Sequence, residues 1–81
     1  MKLSQCRDFD DLRQFLNSGD PEPKCFYIQD GKVKTVWVND VRFLVNEDVD
    51  AFDWAIVSKN GKMRFWDGEL YNDKAEAKED I

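Results

Sequence analysis

The sequence predicts an α+β domain: a short N-terminal helix packed on a twisted five- or six-stranded antiparallel meander sheet, with coiling into a small open barrel as the closed form of that sheet. Three observations lead there. An apolar stripe at helical spacing near the N-terminus ends at Asn17-Ser18-Gly19, and beyond it the chain alternates short β-branched and aromatic runs with turn dipeptides. The third is length: 81 residues are one domain, expected to span 1–81.

The helix is expected over about residues 8–18. Asp8 is placed to cap it, Asp11 stands three positions on where a carboxylate meets exposed amides, and Phe9, Leu12 and Leu16 recur at helical spacing, with Phe15 widening the stripe. Asp20-Pro21-Glu22-Pro23 then favours an extended connection.

Strands follow at about 25–29, 32–38, 41–45, 54–58 and 62–66, with a short sixth at 69–71. Asp30-Gly31 is a strong hairpin signal, because a type I′ turn needs positive φ at both central residues; Asn39-Asp40 is a weaker one. Lys59-Asn60-Gly61 joins the later pair, and Asp67-Gly68 offers a further turn. The tail 72–81 has helical propensity without an apolar stripe, so fraying is expected.

Two-residue turns would set Ile28 against Val33, Tyr27 against Lys34, Val36 against Phe43 and Trp37 against Arg42, the last a candidate cation–π pair. One face then carries Phe26, Ile28, Val33, Thr35, Trp37, Arg42 and Leu44. The other carries Cys25, Tyr27, Gln29, Lys32, Lys34, Val36, Val38, Val41, Phe43 and Val45. Both faces hold substantial apolar surface, and a single short helix is expected to cover them. A coiled sheet, a homodimer or a binding site would each absorb the excess.

Charge and chemistry narrow the function. The net charge of −5 is unevenly laid out: residues 1–45 balance, 46–53 carry four acids and no base, 54–66 are basic through Lys59, Lys62 and Arg64, and 67–81 are acidic. This layout disfavours a phosphate backbone as main partner and suits a basic protein surface. The chain has no histidine, which removes Ser-His-Asp and Cys-His catalysis and the commonest zinc ligand. Residues 48–53 fail the calcium-loop pattern, with Phe52 at a ligand position and Asp53 where glycine should turn. No enzyme activity, metal or cofactor is expected. Residues 1–7 lack the apolar run of a signal peptide, and no stretch approaches bilayer length. A cytoplasmic location with no membrane partner, and reduced Cys6 and Cys25, are therefore expected.

The function expected is a small non-enzymatic protein-binding module of inhibitor, immunity or regulatory-adaptor type, of phage or bacterial origin, that occludes a basic surface of its partner. Glu47, Asp48, Asp50 and Asp53 would steer the encounter, and Tyr27, Phe43, Phe52 and Trp54 would supply buried area. Two alternatives stand beside it: a nucleic-acid platform using Tyr27, Lys32, Lys34, Phe43, Lys62, Arg64 and Trp66, and a homo-oligomeric structural protein.

Overall fold

A computed structural model of the protein describes residues 1–17, 23–46 and 51–81. The chain runs through a 3-10 turn (Leu3–Gln5), helix α1 (Phe9–Asn17), strands β1 (Lys24–Gln29) and β2 (Lys32–Trp37), a second 3-10 turn (Val38–Asp40), strands β3 (Val41–Asn46), β4 (Ala51–Val57), β5 (Met63–Trp66) and β6 (Leu70–Tyr71), and helix α2 (Lys74–Glu79). It is an α+β protein with antiparallel strands. Among the described residues no helix is long and apolar enough to cross a membrane.

Helix α1 starts as its sequence indicates. The Asp11 amide donates to the Asp8 carboxylate at 2.8 Å, and the Arg7 amide donates to Asp11 at 3.0 Å. Together these satisfy amides that have no partner within the helix. Leu12 and Phe15 are buried, while Phe9 faces outward. The Asp30-Gly31 turn takes φ of 54° and 74° at its two positions, and the β1–β2 register follows from it: Ile28 opposes Val33 and Tyr27 opposes Lys34.

Among the described residues the strands do not form the single five- or six-stranded meander expected, and they close no barrel. The strands divide into two three-stranded sheets, one ordered β2-β1-β6 and the other β3-β4-β5. The cause lies at Asn39-Asp40. Neither residue is glycine, and Val38–Asp40 winds into a 3-10 turn instead of reversing the chain on itself. That turn carries β3 out of the first sheet, so Val36 is not opposite Phe43, and Trp37 is not opposite Arg42. Val38, expected in the strand, belongs to this turn. Trp37 instead pairs with Lys24, whose ammonium lies 4.8 Å from the ring centroid.

A second redirection closes the fold. After β5, Gly68 accepts the Trp54 indole N–H at 2.8 Å, and β6 then joins the far edge of β1, pairing Leu70 with Tyr27 and Tyr71 with Phe26. The two sheets thereby face each other. Cys25, Tyr27, Val36 and Leu70 from the first meet Val41, Phe43, Trp54 and Trp66 from the second in one hydrophobic cluster, to which Leu3, Cys6, Leu12 and Phe15 also belong. Cys6 and Cys25 are both free and buried, and burial pushes the Cys25 thiol up to about 12.

The tail corrects the expectation of fraying. Residues 74–79 form α2, which packs on β1, β2 and β6 and so covers the outer face of the first sheet. It has no apolar stripe, but Ala77 is fully buried, and polar contacts anchor both ends. The Ala75 amide donates to the Asp73 carboxylate at 3.0 Å, Glu76 pairs with the N-terminal ammonium, and Asp80 accepts from the Tyr71 hydroxyl at 2.6 Å and meets the Lys2 ammonium at 2.9 Å. Chain start and chain end are thus tied together, contacts that helical periodicity does not register.

Two measurements test this packing. Phe15→Ala empties a fully buried site at the junction of α1 with both sheets; it is expected to cost about 3–5 kcal/mol, comparable to the whole stability of so small a domain, and to abolish cooperative thermal unfolding. The second concerns Asp80. The Tyr71 hydroxyl, and after it Lys2, hold its carboxyl below the usual value. A carboxylate depressed in the folded state stabilises above its unfolded value, near pH 4, and that stabilisation is lost as pH falls through the folded value. Melting curves of Asp80→Asn should therefore lie below those of the wild type near about pH 6 and converge with them toward about pH 2.

Candidate binding site

Register decides which side chains of the second sheet look outward. β3 pairs with β4 so that Arg42 opposes Ala55 and Leu44 opposes Asp53, and β4 pairs with β5 so that Ala55 opposes Phe65 and Val57 opposes Met63. Side chains alternate along a strand, so these residues share the face opposite Trp54 and Trp66, with Ala55 fully buried at its centre. No helix is seated there among the described residues. Leu44 is 40% exposed, Met63 51% and Phe65 67%. Three large apolar side chains in the open on one face of one small sheet are an unusual concentration for a domain this size.

One end of this face is a shallow pocket of about 220 Å³, lined by Leu44, Asp53, Trp54, Phe65, Trp66 and Asp67. Its acidic rim is a consequence of register. Trp54 opposes Trp66, and the next positions outward, Asp53 on β4 and Asp67 just beyond β5, both line the pocket. Both are exposed, and among the described residues neither carboxylate has an ion pair or a hydrogen bond. The cation on the same face of β3 is directed elsewhere: Arg42 donates from Nη1 to the carbonyls of Asn39 at 2.7 Å and Val41 at 3.0 Å. Arg64 lies on the opposite face, its guanidinium carbon 5.5 Å from the Trp66 ring.

Two of the lining residues pack among aromatic neighbours. Trp54 and Trp66 stack at 6.0 Å and 12°, and Tyr27 meets both, at 5.5 Å and 4.6 Å. The Trp66 indole N–H is buried without a hydrogen-bond partner among the described residues, so ring packing holds that residue. Among the described residues no group of three or more His, Cys, Asp or Glu side chains is arranged to hold a metal ion.

The residues expected to bind a partner are dispersed by the fold. Trp54 is 2% exposed and, with Tyr27 and Phe43 packed around it, belongs to the core rather than to a contact surface. Tyr27 and Phe43 are half-buried against this core. Phe52 is half-buried against the core and meets the exposed Phe9 edge-on at 5.7 Å. Asp53 lies on the outer face of β4, a strand that begins at Ala51 where 54–58 was expected. Glu47, Asp48 and Asp50 lie outside the described residues.

Leu44, Phe65 and Asp67 are the members that sequence reasoning did not assign to the site. A signal for them existed. Counting outward from the Lys59-Asn60-Gly61 turn sets Ser58 against Lys62, an alignment carried by the Ser58 amide donating to the Lys62 carbonyl at 2.9 Å, and continuing the count sets Asp53 against Asp67. Comparison of the chain with protein-family models, curated proteins and solved structures finds no match.

Like charges on adjacent strand positions repel, at about 0.2–1 kcal/mol per pair. Asp67→Asn is therefore expected to raise the thermal midpoint by roughly 1–8 °C at low ionic strength. The gain should shrink in about 1 M salt, where screening is nearly complete. An unchanged midpoint at low salt would mean that the two carboxylates do not interact.

Proposed function

We propose that this protein is a small non-enzymatic module that docks a basic protein partner on the outer face of its second sheet, acting by occlusion in the manner of an inhibitor, immunity protein or regulatory adaptor. The observation that carries the reading is the grouping of Leu44, Met63 and Phe65, all exposed, beside the acidic rim of Asp53 and Asp67. An apolar centre bordered by charge is the usual anatomy of a protein interface, with the apolar part supplying affinity and the rim supplying orientation and encounter rate. The net charge of −5 points the same way, toward a basic surface. A phosphate backbone would meet two unpaired carboxylates at this site.

The test has two arms. Light scattering on the wild type should give a monomer, and a partner captured from a lysate of the source cells should be lost on Phe65→Ser and Leu44→Ser and retained on Ile81→Ser, which alters an exposed apolar residue remote in sequence from the face. Truncation of a central interface aromatic costs about 2 kcal/mol or more, roughly thirtyfold in affinity. A dimer that returns to monomer on Phe65→Ser would overturn the reading, because a second copy would then cover the face. Capture indifferent to all three substitutions would overturn it as well.

A further inference from the structure

We infer that the pocket on this face receives one arginine side chain of the protein partner, its guanidinium held between Asp53 and Asp67 and its plane laid against Phe65. This rests on the docking reading and specifies its central contact. Two carboxylates that line one pocket, neither with an intrachain cation among the described residues, form a site whose missing component is a positive charge. Negative charge on the lining makes the pocket favour a cation over a neutral group of equal size.

The walls select the kind of cation. A hard divalent ion takes six or more oxygen ligands, whereas this pocket offers two carboxylates among leucine, phenylalanine and tryptophan side chains. Its volume of about 220 Å³ is below the usual range for cofactor and drug-sized ligands, about 300–1,000 Å³, and suits a single side chain. Between the two basic side chains, guanidinium fits better than ammonium. It is planar, weakly hydrated and carries five donors in a fork that can meet two carboxylates at once, and it stacks on an aromatic face. Phe65, 67% exposed at the edge of the sheet, leaves such a face available. Lysine would bring a compact, strongly hydrated charge that uses the aromatic wall less well.

The experiment is a backbone-amide NMR titration of the full chain with N-acetyl-arginine amide, beside N-acetyl-lysine amide, the neutral isostere N-acetyl-citrulline amide, and calcium chloride. Arginine amide should shift the resonances of Asp53, Phe65 and Asp67, with an affinity about tenfold above that of the citrulline probe and greater than that of the lysine probe. The double variant Asp53→Asn/Asp67→Asn, whose fold is checked by its own amide spectrum, should lose the response. Equal response to arginine and citrulline, a response that survives in the double variant, stronger binding of calcium, or no shift at these residues would each overturn the inference. The captured partner separates this failure from that of the docking reading. Capture lost on Phe65→Ser but unaffected by the double variant leaves the docking face standing and removes the arginine; capture unaffected by either removes both.

Discussion

The contact on which the rest of the structure depends is the meeting of Tyr27 with Trp54 and Trp66 across the space between the two sheets. A three-stranded sheet of this size cannot bury a face alone, and a small domain has few side chains with which to fill a core. Three large rings in mutual contact bury much apolar area with few residues, and their preferred tilts restrict the angle at which the sheets approach. The Trp54 indole N–H then holds the Gly68 carbonyl, which places the chain where β6 can cross to β1.

This arrangement explains how the apolar surplus of the strands is distributed. The face bearing Cys25, Tyr27, Val36, Val41 and Phe43 folds onto itself and becomes the core, so the sheet surface is covered by sheet. The opposite face divides. Its β1–β2 part lies under α2, a helix secured by Ala77, by ionic contacts to the first two residues and by a hydrogen bond from the Tyr71 hydroxyl. Its β3–β5 part carries Leu44, Met63 and Phe65 in the open. Phe9, Trp37 and Ile81 are exposed singly elsewhere, whereas on this part of the face three exposed apolar side chains stand on one sheet.

The same aromatic cluster gives the pocket its character. Trp54 and Trp66 pack against each other and against Tyr27, and the positions just beyond them, Asp53 and Asp67, both line the pocket. Two acids without an intrachain cation among the described residues, set beside packed rings, are the arrangement expected where a site is organised for a ligand of opposite charge.

The chain's local chemistry was sufficient for the elements whose causes are local. Asp8 and Asp11 begin α1, Asp30-Gly31 sets the β1–β2 register through two positive φ angles, and Gly61, with φ of 78°, turns β4 into β5. Partnerships between elements were beyond its reach. Nothing near Asn39-Asp40 says that β3 leaves the first sheet, nothing near Leu70 says that its strand pairs with β1, and the anchors of α2 lie about seventy residues away at the N-terminus. The site shows both sides of this division. Aromatic and acidic residues were visible as types, and the register bringing Asp53 to Asp67 could be counted from a turn. Whether Trp54 or Phe65 faced solvent depended on which sheet covered which, because alternation within a strand divides side chains into two faces, and only packing of distant strands decides which face is the inside.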